Sequence, residues 1–272
     1  MRGIRAQSGR LRVLPDFLVI GGEKCGTTSL YQALASHPDV HPARRKEPHY
    51  FDYHFARGEV WYRAWFPFVW VRALRRRRRG RFLTGEASPD YIFHPHAARR
   101  ARALLPEARL IAILRDPVER AFSHHQQQVR KGREPLSFEE AIAREPERVD
   151  APLAGMERDE RLAVESVTRF SYLARGRYAE QLERWLAHYP RERLLVLFSE
   201  ELSKEPAETW RRAFAFLGLD ADGVAIESAP YRNVGGYEAT IEPSLRRRLD
   251  EFFAPHDARL RALLGRPLPW RA

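Results

Sequence analysis

Between positions 21 and 28 the chain reads Gly21-Gly22-Glu23-Lys24-Cys25-Gly26-Thr27-Thr28, a set of residue types suited to holding a phosphate. Small residues let backbone N–H groups wrap an anion, a helix start adds further amides, and Lys24 supplies a mobile point charge. Thr27 and Thr28 add hydroxyl donors. Gly21 and Gly26 have Walker A spacing, but the next position is Thr27 rather than lysine, and the lysine stands upstream at Lys24. The lysine that nucleotide hydrolases set on β- and γ-phosphates is therefore missing. The alternative for this loop is a plain strand–turn–helix cap. Farther on, Arg115 is followed by Asp116-Pro117 and then by Ser123 on the same helical stretch; by itself Arg115 reads as a surface salt-bridge partner of Asp116 or a neighbour.

These residues need elements to hold them. The apolar run Asp16 to Ile20 predicts a strand ending at the glycines, and Leu30, Ala33 and Leu34 recur at helical spacing from Thr27 until Pro38. Leu110 to Leu114 is a continuous apolar run, as expected of a strand covered on both faces. Arg115 stands at its carboxyl end, the side on which open α/β sheets bind ligands. Asp116 as cap and Pro117 at the first position start a helix reaching about Lys131. Further strands are expected at Arg81 to Thr84 and at Leu194 to Phe198. Further helices are expected near His96 to Leu105, Arg177 to His188 and Pro206 to Leu217, and as two tail segments at 243–253 and 256–264. Residues 132–160 are polar and poorly periodic and predict an insertion or mobile segment. Residues 1–14 predict a flexible arm, and 15–272 one α/β domain of the P-loop-like, three-layer α/β/α kind with a mainly parallel central sheet.

Three ordered motifs resemble those of the sulfotransferases that use 3′-phosphoadenylyl sulfate (PAPS), nearest the heparan sulfate and carbohydrate branch. Lys24-x-Gly26-Thr27-Thr28, with Leu30 downstream, looks like their 5′-phosphosulfate loop. Lys46-Glu47-Pro48-His49-Tyr50-Phe51-Asp52 is similar to their Lys-Glu-x-His-Phe-Phe block. Leu114-Arg115-Asp116-Pro117 through Ser123 resembles their 3′-phosphate block. With Gly85-Glu86-Ala87-Ser88-Pro89 and Gly176-Arg177-Tyr178, the likeness spans about residues 15–265.

This resemblance implies sulfuryl transfer from PAPS, with 3′,5′-bisphosphoadenosine (PAP) as product and no metal. It places Lys24 at the bridging oxygen between sulfate and 5′-phosphate. Cys25, Gly26, Thr27, Thr28 and Ser29 would surround the 5′-phosphate, and Arg115 and Ser123 the 3′-phosphate. Tyr178 would fix the nucleotide or the sheet edge, and Arg232, in Tyr231 to Tyr237, would close over the cofactor. Glu47 becomes the general base, with His49 beside it. Lys46, His49, Asp52 and Ser88 fall to the acceptor side. Without the resemblance, Glu47 reads as a partner of Lys46 or Arg45 on a solvated turn. Ala87 departs from the pattern, since the glycan branch often carries lysine there. That departure, with the missing disulfide pair and anchor, points to a bacterial-type soluble member acting on a glycan, glycolipid or small metabolite.

Composition sets the outer limits. Of 272 residues, 44% are hydrophobic and 31% charged, which excludes a mostly disordered chain. A single cysteine, Cys25, excludes an intrachain disulfide and a cysteine-based metal cluster. No apolar run approaches the ~18 residues of a membrane span, and the basic N-terminus lacks a signal-peptide core, so a cytoplasmic protein is expected, its oligomeric state open. The net charge of +11 draws on a run from Arg72 to Arg81, which is either a solvated face or a binder of nucleic acid, anionic polymer or membrane surface. No nucleic-acid signature accompanies it. The competing functional readings are a P-loop kinase and a non-enzymatic polyanion binder. Residues 48–70 are dense in aromatics, either a core flank or an acceptor platform.

Overall fold

Strands β1 (Phe17–Gly21), β2 (Gly85–Ala87), β3 (Arg109–Leu114) and β4 (Leu194–Phe198) form one sheet in the order β2-β1-β3-β4, and every pair is parallel. The computed structural model describes residues 8–220 and 240–271. Neighbouring strands start in register, Phe17 opposite both Gly85 and Arg109, and Leu110 opposite Leu194. Successive side chains point to opposite faces, which explains the uninterrupted apolar sequence of the strands. Leu18, Ile20, Leu110, Ala112 and Leu114 enter one core, while Phe17, Val19, Ile111 and Ile113 enter another.

The second core is closed by α1 (Thr27–Ser36) through Leu30 and Leu34. The late helices α10 (Ser199–Lys204) and α11 (Pro206–Leu217) complete it through Leu202, Trp210 and Phe214. The first core is closed by α4 (Ala97–Leu104), α9 (Tyr178–Leu186) and part of α12 (Pro243–Leu264). It also takes in Tyr50, Phe51, Tyr62 and Phe66, so these four aromatics of residues 48–70 are a core flank. Two short helices, α2 (Gly58–Arg63) and α3 (Val69–Arg79), connect that flank to β2.

Helix α5 (Pro117–Arg130) starts where β3 ends. The Asp116 carboxylate accepts from the N–H groups of Val118 and Glu119 at 2.8 and 3.2 Å, satisfying two of the helix's open donors. Behind α5 stand α6 (Phe138–Ala143), α7 (Glu145–Arg158) and α8 (Glu165–Phe170). Val118, Phe122, Phe138, Ile142, Leu249 and Phe253 make a third cluster between α5, α6 and α12.

Several expectations are corrected. Residues 132–160 are largely helical, and Ser137 and Glu140 close a full capping box ahead of α6; the apolar contacts of α6 and α7 are spread too sparsely to show as periodicity. The tail is one continuous helix across Pro255 rather than two. The second strand begins at Gly85, not Arg81, and Leu83 makes only an isolated bridge to Val40. The arm is anchored over its second half: Arg12 is buried, donates to the Phe66 carbonyl at 2.7 Å and lies 3.7 Å over the Phe68 ring. Among the described residues no helix is long and apolar enough to cross a membrane.

Candidate active site

The loop from Gly22 to Gly26 sits at the carboxyl tip of β1, and the Gly22 N–H donates to the Ile113 carbonyl at 2.6 Å, tying it to β3. Lys24 and Gly26 have φ of 67° and 99°, a left-handed conformation that costs the lysine strain and Gly26 little. The chain thereby turns sharply into α1. Thr27 and Thr28 occupy its first turn, where amides have no intrahelical partner.

A cleft of about 360 Å³ opens above this loop. Lys24, Thr27 and Thr28 line it with Glu47 and His49, and Gln127 of α5 and Lys131 at its C-cap form another wall. Lys46 links two of these walls, its Nζ donating to Thr28 Oγ1 and to Glu47 Oε1, each at 2.7 Å. Glu47 therefore shares a cleft with the phosphate-type loop.

His49 also has a left-handed backbone, φ 53°, held by its N–H donating to Ser88 Oγ at 3.1 Å. Its Nδ1 lies 2.8 Å from Asp52 Oδ2, and its Nε2 3.6 Å from Glu47 Oε2, so one imidazole spans two carboxylates. Burial pushes the His49 pKa down, but hydrogen bonds with Asp52 and Glu47 outweigh it and hold the ring protonated up to about 10. Burial likewise pushes Glu47 up, yet His49 and the Lys46 ammonium bring it down to about 2. For Lys24 burial leads and lowers the pKa, Glu23 partly restores it, and Arg130, Lys131 and Arg115 lower it again. The loop is thus a place where cations crowd one another, as a dianionic or more highly charged ligand requires.

Arg115 stands at the tip of β3, the strand beside β1. Among the described residues its side chain has one polar partner, Glu119 at 3.5 Å, because Asp116 is taken by its own helix and by Arg246 at 2.5 Å. The Arg115 guanidinium remains available to a phosphate. Ser123 follows two turns along α5 and is buried.

Other predicted residues lie inside the wall rather than on it. Cys25 and Tyr178 are buried; the thiol is pushed to about 12 by burial, and the Tyr178 hydroxyl donates to the Arg115 carbonyl at 2.9 Å. Tyr178 thus fixes the backbone that carries Arg115. Ser29 is buried in α1. Ser88 is buried between the His49 backbone N–H and Glu86, and Asp52 is buried behind His49, so Ser88 holds the His49 backbone and Asp52 its imidazole. Arg232 lies outside the described residues.

Residues that the sequence reading passed over complete the cleft. Asp90 lies 3.9 Å from His49 and 2.5 Å from the buried Arg175, which also faces Glu23 at 3.6 Å. Arg133, Thr168 and Arg169 reach the rim from segments far apart in sequence, with no local signal. Gln127 and Lys131 did have one, the four-residue spacing from Ser123 along a single helix face. Ligand atoms of His49, Asp52 and Asp90 lie within 4.8 Å of one another. Arg175 and the His49 proton already balance these acids.

The sequence of residues 14–231 matches the family model described as the sulfotransferase domain. The chain is 30% identical over 278 residues to mouse heparan sulfate glucosamine 3-O-sulfotransferase 3B1, covering 94% of this chain and 65% of that protein. It is 34% identical over 218 residues to human bifunctional heparan sulfate N-deacetylase/N-sulfotransferase 3, covering 76% of this chain and 22% of that protein. A sulfotransferase structure from Alicyclobacillus acidocaldarius superposes with a TM-score of 0.76 at 34% identity, covering 96% of this chain and all of that one. The chain thus spans just under two thirds of the length of the mouse 3-O-sulfotransferases 3B1 and 3A1. The chain belongs to the sulfotransferase family. The crowded cations of the loop and Arg115 fit a bisphosphate such as the PAP that the resemblance implies.

Proposed function

We propose that this protein transfers the sulfuryl group of PAPS, in line and without a metal, to a hydroxyl of a glycan, glycolipid or small metabolite. The observation that carries the reading is the shared cleft of Lys24, Thr28, Glu47 and His49, with Lys46 bridging Thr28 and Glu47. The acceptor oxygen attacks sulfur, the bond from sulfur to the 5′-phosphate oxygen breaks, and PAP leaves. Lys24 offsets the charge that collects on that oxygen. Glu47 takes the acceptor's proton, and His49, steadied by Asp52, holds the Glu47 carboxylate in place.

A carboxylate at about 2 is a weak base, and Lys46 is one reason for that value. A phosphosulfate in the loop competes for the same ammonium, because Lys46 already touches Thr28. Donor binding would then draw Lys46 off Glu47 and raise its basicity when the acceptor is present. The 3-O-sulfotransferase relatives support a sugar hydroxyl as acceptor, and the N-sulfotransferase relative keeps an amine as the second choice.

The kinase reading would use Asp116 as a magnesium ligand, but that carboxylate caps α5 and pairs with Arg246. The deciding experiment is Glu47→Gln assayed with labelled PAPS and a panel of sugar acceptors. PAP affinity should stay within about twofold while kcat falls roughly 10²- to 10⁴-fold, the usual loss of a general base. Full turnover in Glu47→Gln rejects this base. EDTA should leave the rate unchanged; inhibition reversed by magnesium favours the kinase.

A further inference from the structure

Helix α3 inverts the usual arrangement of a surface helix. It buries none of its residues, and its apolar residues Val69, Trp70, Ala73 and Leu74 are exposed. Trp70 and Leu74 are 53% and 50% exposed, and they lie on one face with Ala73 and Arg77 at three- and four-residue spacing. Val69 is 47% exposed at the helix start, and Leu11, on the turn whose neighbour Arg12 pairs with Phe68, is 53% exposed. Stacking on Phe68, with centroids 4.0 Å apart, holds the Trp70 ring. Arg72 and Arg79 are tied to Asp16 and Asp39, at 2.8 and 2.9 Å, and pin the helix to the body. Arg75 to Arg78 make no ion pair among the described residues.

We propose that α3 docks the protein on an anionic lipid surface, with Trp70 and Leu74 entering the headgroup boundary and Arg76, Arg77 and Arg78 meeting lipid phosphates. A soluble polyanion would use the arginines but would leave an exposed indole and leucine with no role. A charged bilayer uses both, since indole prefers the interface and arginine reaches up to phosphate along its apolar stem. Arg72 pairs with Asp16, just ahead of β1, so α3 lies by the amino ends of the strands while the cleft opens at their carboxyl ends. Docking through α3 therefore leaves the cleft uncovered.

The test is sedimentation of the full chain with phosphatidylcholine vesicles, with and without phosphatidylglycerol, at several salt concentrations. Partitioning should rise about a hundredfold on the anionic vesicles, as expected for several basic residues near a charged surface, and fall with salt. Trp70→Ala with Leu74→Ala should lower it about tenfold, and Arg76→Gln, Arg77→Gln and Arg78→Gln together should abolish the salt dependence. Lipids brominated on the acyl chain should quench indole fluorescence in the wild type and much less in Trp70→Phe, a change conservative enough to keep the fold. Equal binding to neutral vesicles overturns the proposal. So does unchanged vesicle binding in the Trp70/Leu74 variant, or retention on heparin or RNA with no partition to either vesicle.

Discussion

Glu47, His49 and Asp52 form a chain of alternating charge in which each group sets the state of the next. Folding raises the His49 pKa from 6.5 to about 10. Its stabilising contribution is therefore complete below about 6.5 and is lost as pH rises through about 10. Glu47 runs the other way: its pKa falls from 4.5 to about 2, so its contribution is present above 4.5 and disappears as pH falls through about 2. Turnover should accordingly be flat across neutral pH and decline toward pH 10. A pH–rate profile with a limb near 6.5 instead would show that His49 titrates as a free imidazole. Asp52→Asn removes the anion behind the ring and should pull the alkaline limb to lower pH while PAP affinity holds. For Arg115→Ala, titration calorimetry should show PAP binding weakened roughly 10- to 100-fold, as a charge-assisted contact implies, with 5′-AMP little affected. The phosphate loop and Arg115 were legible because their chemistry is local, in glycines, a lysine and a strand tip. Glu47 was legible only through resemblance; by itself it reads as a partner of Lys46, and that contact does exist.

At the scale of elements, the close fit of β2 against β1 depends on Gly85. A Cβ there would come within 2.4 Å of the Phe17 ring, which has no room to retreat in a fully buried strand. Gly85→Ala should cost about 1–3 kcal/mol by overpacking, read as a lower urea midpoint with unchanged m-value. Such a demand is invisible in sequence, where Gly85 reads as the turn after a strand instead of the strand's first residue. The strands β1, β3 and β4 were readable because burial on both faces leaves a continuous apolar run. Helices α6 and α7 were not, because their apolar residues are few and Pro152 interrupts the second. The capping box at Ser137 and Glu140 was the available clue, and Ser137→Ala should lower stability by about 1 kcal/mol.

For the whole molecule, the joining of distant segments is what sequence reading lacks. Arg175, Asp90 and Glu23 come from three regions and meet beneath His49, and Arg246 crosses from α12 to grip Asp116 and Glu119. The N-terminal residues belong to this network as well. Arg12→Ala removes a buried charged donor from the Phe66 carbonyl and a cation from the Phe68 ring. It should cost about 1–3 kcal/mol and lower the melting temperature, whereas a free arm would tolerate the change.

Helix α5 carries the buried Ser123 and, one and two turns further on, Gln127 and its C-cap Lys131, which line the cleft, so on the proposed reading one rigid rod gauges the gap between the 3′-phosphate and the rest of the cleft. Adding a single residue between Ser123 and Gln127 would swing the far contacts by about 100° and push them on by about 1.5 Å. The near end, with Ser123, would stay in place. On that reading the cleft can be retuned by exchanging side chains along this rod, but not by changing its length.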